Sequence, residues 1–350
     1  MISNEILLLG GFLAFIVSVL MVDLLVVGRG SHIVSTREAL GWTTVWVFFA
    51  VCFYFFLKFF GHHLHGIDSL ESLQAVAQKY APGLHFKASD YAAMLVEYRN
   101  HMSMNYLSGY FIEETLSIDN VFVILLVLRS FAVPFENYKT VLFWGILGAI
   151  VLRFIFIFAG AALIQRFEWI LLVFGAFLVF QGGKILFSKH DSHKDPREYG
   201  LVKYLSRHLR ITSEYDGNRF ATKIDGKSFF TPLFMVLVII EFTDLLFAMD
   251  SIPAIFSVSL DPYVVFFSNI FAIIGLRSLF FLIFNMVEKF RFLSVGVSVL
   301  LVFVGLKLLF HHYLEEIGFK STYSLYFVLF VLAGSVVLSM VFPKKISDTE

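Results

Sequence analysis

The chain has 350 residues, 58% of them hydrophobic and only 15% charged, with 44 phenylalanines; soluble domains run at roughly 45–50% apolar and 25% charged, so this composition is that of a membrane protein. Twenty-seven basic residues balance twenty-seven acidic ones, which leaves no net field to recruit nucleic acid and excludes that class of partner. The single cysteine, Cys52, lies inside an apolar run, so an internal disulfide and a thiol-rich zinc or iron–sulfur site are excluded as well.

Taking about 17–25 apolar residues per crossing, the pattern predicts an all-α polytopic membrane protein. Its nine transmembrane helices fall at 6–27, 42–60, 104–128, 140–164, 168–187, 232–257, 262–286, 293–311 and 323–342, within one transporter domain over 1–350. The first segment carries only Glu5 as a charge ahead of its apolar run and no small-residue cleavage site before Arg29, so it is expected to stay in the mature chain. Seventeen Lys and Arg residues fall on one side of the bilayer and five on the other. The positive-inside rule then places the N-terminus outside and the C-terminus inside. Residues 61–103 become an external loop with one helical stretch, Leu70 to Tyr80, and 188–231 a charged cytosolic linker with Gly217 and Gly226 as turn signals.

The sequence repeats itself. Glu113 to Asn120 in the third segment matches Asp244 to Ser251 in the sixth, each an acid followed six residues later by Asp and then by a small amide or hydroxyl. Gly145 to Arg153 likewise matches Asn269 to Arg277, and Phe180 to Lys184 matches Phe303 to Lys307. Three matches in one order define a duplicated three-helix unit, repeat one at 104–187 and repeat two at 232–311. Because three is odd, the copies cross the bilayer in opposite senses, the inverted-repeat construction of many secondary transporters, with substrate near the midplane between the copies. Residues six apart on an intact helix lie about 120° apart, so convergence of the motif acids is expected to need a break at Leu116–Asp119 and at Phe247–Asp250, near Ser117, Asp119, Asn120 and Pro253.

Leaving aside Glu168 at a segment edge, seven acids lie inside the segments: Asp23, Glu113, Glu114, Asp119, Glu241, Asp244 and Asp250. At roughly 2.5–3.5 kcal/mol each on insertion scales, they threaten about 15–25 kcal/mol if left uncompensated. Arg153 and Arg277 are available as charge partners for two, and the remaining surplus calls for a bound cation or protons. The motifs offer only oxygen, which suits hard ions such as Mn²⁺, Mg²⁺ or Ca²⁺. Mid-membrane acids can also serve as interhelical hydrogen-bonding groups, and duplication of the whole motif argues against that simpler role.

At these residues the sequence resembles the TerC family of bacterial integral membrane proteins, closest to its Alx-type members. The resemblance runs through Asp23-Leu24-Leu25 to Gly28-Arg29 and His32, Ala39 to Val47, Glu113 to Val123, Leu147 to Arg153 and Phe174-Gly175-Ala176-Phe177. It is strongest over Glu241, Asp244, Phe247-Ala248 and Asp250 to Ala254, continuing to Asp261-Pro262 and Asn269. It implies a multi-pass bacterial inner-membrane exporter of manganese, within the LysE-type transporter superfamily, acting in metal ion homeostasis. The metal positions it implies are Asp23, Glu113, Asp119, Asn120, Glu241, Asp244, Asp250 and Ser251, with Arg153 and Arg277 as supporting charges. Glu114 is not carried over, since the position after the first motif acid varies and its side chain points about 100° away from Glu113.

The leading expectation is therefore a secondary active exporter of divalent cations, with protons as a counter-ion the carboxylates would permit. It has no catalytic residue and no prosthetic group, with Mn²⁺ as the cargo. Alternatives are a Ca²⁺ or Mg²⁺ exporter, a non-transporting membrane assembly or metallation factor, and an intramembrane aspartate-dependent enzyme, against which the symmetric acids with no oxyanion-type signature count. No Walker motif supports ATP drive. His62, His63 and His65 beyond the second segment, with His311 and His312 closing the eighth, offer an external metal-release or pH-sensing patch. The simpler reading places them as residues comfortable at a membrane–water interface. His190 and His193 with Asp191 and Asp195 read as part of a solvated loop.

Overall fold

The computed structural model describes residues 4–22, 35–167, 169–187, 200–224, 226–284, 292–310, 313–314 and 321–341. The helices are α1 (Asn4–Val22), α2 (Thr36–Phe60), α3 (Leu70–Tyr80), α4 (Tyr91–Ser130), α5 (Phe135–Arg166), α6 (Trp169–Phe187), α7 (Gly200–His208), α8 (Pro232–Phe256), α9 (Pro262–Phe284), α10 (Leu293–Leu309) and α11 (Ser321–Val341). The protein is an all-α polytopic membrane protein, and each of the nine predicted segments coincides with a helix over its described residues. Among the described residues six helices are long and apolar enough to cross a bilayer (α1, α2, α5, α8, α9 and α11), and α6 and α10 supply shorter apolar helices. The third predicted segment lies within α4, whose 40 residues give a rod about 60 Å long.

Helix α4 begins at Tyr91, thirteen residues before the predicted third segment, because Asp90 caps it: its carboxylate accepts from the Ala93 N–H at 3.1 Å. The loop expected over 61–103 therefore ends as the first turns of α4, and α3 occupies Leu70–Tyr80 as its sequence predicts. The linker over 188–231 is also more ordered than a simple connector. It holds α7 and an antiparallel hairpin, Ala221–Ile224 with Lys227–Phe230, turning at Gly226 with φ +74°. Asn137 Nδ2 donates to Gly217 O at 3.0 Å and Tyr215 OH to Phe131 O at 2.7 Å, fixing the linker against the turn between α4 and α5.

Helix α9 is the centre of the bundle, buried along almost its whole length and packed by α2, α4 and α5. Apolar side chains form two clusters. One gathers Tyr106 and Leu116 of α4, Ile150 of α5, Ala248 of α8 and Phe271 of α9; the other gathers Val121 and Leu128 of α4, Val141 of α5, Ile240 of α8 and Phe280 of α9. Along α4 the chain passes from the first cluster to the second, and along α8 from the second to the first. Helices α5 and α9 likewise run in opposite senses between the clusters. The break between the clusters falls at Ser117–Asn120 on α4 and Glu241–Phe247 on α8, where the motif acids are.

Near the first cluster, α1 and α3 are fastened to the start of α9 by a buried histidine. His65 Nδ1 meets Glu5 Oε1 at 2.7 Å and its Nε2 meets Asp261 Oδ2 at 2.8 Å, while the ring stacks on Tyr80 with centroids 4.5 Å apart. Tyr263 OH donates to Glu5 Oε2 at 3.0 Å, and Asp261 Oδ1 accepts the Tyr263 N–H at 2.9 Å, capping α9 one residue before Pro262. His65 is thus a buried partner of two carboxylates, because Asp261 and Glu5, far apart in sequence, converge on its two ring nitrogens. Burial alone would lower its pKa, but the Asp261 charge and the hydrogen bonds to Asp261 and Glu5 outweigh that and raise it from 6.5 to about 9.

A raised folded-state pKa contributes stability that is fully present below about pH 6.5 and is lost as pH climbs through about 9. The full effect is worth roughly 3 kcal/mol. Thermal unfolding of the detergent-purified protein is expected to shift downward between pH 7 and pH 10, with His65→Gln flattening most of that slope. An equal slope in both proteins would show that the clasp contributes nothing.

Candidate ion site

Four helices bring the polar centre together. Glu113 projects from α4 into a fully buried position, and Arg153 reaches it from α5, itself 1% exposed. The Arg153 guanidinium donates from Nη1 to Glu113 Oε1 and to Asn269 Oδ1 (2.6 Å) on α9, and from Nη2 to Asp244 Oδ1 (3.3 Å) on α8. Asn269 Nδ2 donates back to Glu113 Oε2 at 3.1 Å, and Ser117 Oγ to Glu113 Oε1 at 3.3 Å. Glu113 is thus held by an amide, a hydroxyl and a guanidinium. Fully buried charge persists only with pairing of this kind.

The expected helix breaks are not present: α4 runs unbroken through Leu116–Asp119 and α8 through Phe247–Asp250. Ser117 turns its hydroxyl to the Glu113 side chain and so does not compete for a backbone partner, while Thr115 Oγ1 shares the Phe111 carbonyl at 2.6 Å without ending the helix. Pro253 lies inside α8 in its last turn, where it cannot donate to the Met249 carbonyl, yet the helix continues to Phe256. Convergence comes instead from separate helices, Glu113, Arg153, Asp244 and Asn269 each arriving on a different one.

The other predicted positions are distributed around this centre. Glu241, one turn before Asp244, lies half-buried against Gly148 of α5, so close that any Cβ at Gly148 would collide with the carboxylate. Asn120 and Ser251 are buried, and the Ser251 hydroxyl has no hydrogen-bond partner among the described residues. Arg277 lies partly buried on α9. Asp119 and Asp250 sit within α4 and α8 with side chains outside the description, and Asp23, His190, His193, His311 and His312 lie outside the described residues. Glu114 is half-buried, its Oε2 buried and unbonded among the described residues, on the side of α4 that faces Gly275. Among the described residues no three His, Cys, Asp or Glu side chains meet as a metal-holding group; between Glu113 and Asp244 stands Arg153.

Sequence reasoning missed Asn269 as a member of the centre. Its signal was available: a lone amide in the middle of an otherwise apolar helix, aligned with Gly145 in the repeat, has to find a polar partner inside the bundle.

Comparison with known proteins settles the family. The model of the integral membrane protein TerC family matches residues 98–347, a stretch that contains α4 from its third turn onward and every residue of the polar centre. This chain belongs to the TerC family. Among similar proteins, an uncharacterized membrane protein of Myxococcus xanthus is 38% identical over 95% of this chain and 91% of its own length. Alx of Salmonella typhi, named for a proposed role as a membrane-bound redox modulator, is 40% identical over 87% of each chain, and Alx of Escherichia coli K12 is 39% identical over the same shares. No solved structure matches the chain. As a TerC protein the chain carries the family match across both candidate repeats, so the acids of α4 and α8 belong to the part that defines the family.

Proposed function

We propose that this protein is a secondary exporter of divalent metal cations, with manganese as its cargo, in the bacterial inner membrane. One observation carries the reading: acids, an amide and a hydroxyl from α4, α8 and α9 gather with the Arg153 guanidinium of α5 where the two apolar clusters separate, and α4 and α8, the first helices of the two proposed repeats, run in opposite senses through that layer. This is the arrangement expected of a midplane site between inverted copies. Oxygen-only ligands select hard cations, and the carboxylates permit proton exchange. The redox role in the name of Alx does not transfer through a dithiol couple, because Cys52 is the sole cysteine and is exposed on α2.

Sealed proteoliposomes containing only this protein and lipid test the reading. Loaded in turn with Mn²⁺, Ca²⁺, Mg²⁺ and Zn²⁺, they should release Mn²⁺ fastest, with a pH-sensitive dye reporting any proton exchange. A vesicle that holds all four ions as tightly as protein-free lipid would favour an assembly or metallation factor, which moves no ion by itself. The proposed orientation is checked by a reporter fused after Glu350, expected on the cytoplasmic side. An external reading there would reverse it.

A further inference from the structure

We propose that Arg153 is a built-in counter-cation that occupies the place of the cargo in the empty transporter, so that the divalent ion exchanges with a guanidinium. This rests on the export reading above and assigns what fills the site between cycles. The guanidinium does what a bound metal would do: it draws together oxygens of Glu113, Asn269 and Asp244, which belong to α4, α9 and α8. Those are the hard oxygen ligands a divalent ion would take.

The contacts are those of a replaceable occupant more than of a permanent brace. A structural guanidinium buried to this degree is expected to use its whole fork of donors, since each unused donor is a desolvation cost. Here Nε of Arg153 and Oδ2 of Asp244 have no hydrogen-bond partner among the described residues, and the Asp244 contact at 3.3 Å is long for a charge-assisted bond. The site holds Arg153 firmly through Glu113 and Asn269 and loosely through Asp244, so displacement can begin on the α8 side.

Charge balance points the same way. Glu113 and Asp244 with one guanidinium retain a single negative charge, whereas with a divalent ion they are neutral. Two bare carboxylates carried through a conformational change in the bilayer would be costly, and a protein can meet that cost with protons or with a tethered cation. Arg153 supplies the second, and because it ties α5 to α4, α8 and α9 it also links occupancy of the site to the packing of both proposed repeats.

The test uses the full-length protein in nanodiscs with Mn²⁺ as the probe, titrated calorimetrically in buffers of different ionisation enthalpy to count protons released. Wild type is expected to bind Mn²⁺ without net proton release, since the displaced cation is Arg153. Arg153→Gln leaves carboxylates that must take up protons, so Mn²⁺ binding by this variant should release protons and tighten by about tenfold or more once the internal competitor is gone. Arg153→Lys, which keeps a tethered cation, should restore proton-free binding. Proton release by wild type, or equal affinity and proton count in wild type and Arg153→Gln, overturns the proposal while leaving export intact. If Arg153→Gln does not fold, the wild-type proton count decides alone. Absence of Mn²⁺ binding to wild type overturns the export reading and this one with it.

Discussion

Efflux of Mn²⁺ from proteoliposomes is expected to fall by on the order of a hundredfold in Asp244→Asn, because loss of one charge-assisted ligand contact is worth about 3 kcal/mol. The amide keeps the size of the carboxylate and still accepts from Arg153 through its oxygen, so the bundle should fold. Glu113→Gln removes the more deeply buried charge and the partner of three hydrogen-bond donors. It strips the fully buried Arg153 of its main counter-ion, which costs about 3–5 kcal/mol in comparable buried pairs. Transport should fall with it, and membrane abundance too. Measuring efflux per inserted molecule separates the two effects. Wild-type efflux by Asp244→Asn at wild-type abundance would remove Asp244 from the ion path and leave it a packing residue.

The second large effect is on stability, where α6 meets α10. Gly175 and Gly305 face each other so closely that a Cβ on Gly305 would lie 2.7 Å from the Gly175 carbonyl oxygen, and one on Gly175 would lie 2.8 Å from that of Gly305. Small residues at such a crossing let two helices approach backbone to backbone, the packing that replaces the hydrophobic effect inside a bilayer. In a helix interior Ala is intrinsically better than Gly by about 1 kcal/mol, yet here the obstacle is backbone on both sides and cannot rotate away. Overpacking by one methyl typically costs about 1–3 kcal/mol, and a larger side chain more. Gly305→Ala should therefore lower the thermal midpoint in detergent, and Gly305→Leu should separate the pair and prevent a monodisperse preparation. Gly183→Ala is the control: nothing lies within 4 Å of a Cβ there, so it should be neutral or slightly stabilising. Equal behaviour of Gly305→Ala and Gly183→Ala would mean that the crossing is not close in the membrane.

The amino-acid sequence by itself determined the class of molecule and the residues at stake. Long apolar runs have one stable form in a bilayer, the helix, because only there are all backbone groups satisfied, so every predicted segment coincides with a helix over its described residues. Acids in such runs cost too much to be incidental, which singled out Glu113 and Asp244, and the repeat brought Arg153 into the same argument. Local signals were equally readable: Leu70–Tyr80 as a helix, and Gly217 and Gly226 as turns with positive φ.

Only the tertiary structure decided which groups meet. Helical periodicity describes one helix at a time, so it led to expected breaks in α4 and α8, whereas the bundle leaves both helices intact and gathers Glu113, Arg153, Asp244 and Asn269 from four different ones. It also decided that His65 is buried between Glu5 and Asp261, residues 60 and 196 positions away, and that the space between the two carboxylates is filled by Arg153. No spacing rule reaches across such separations, because the contact depends on how whole helices pack, and that is settled by the shape and volume of many apolar side chains together.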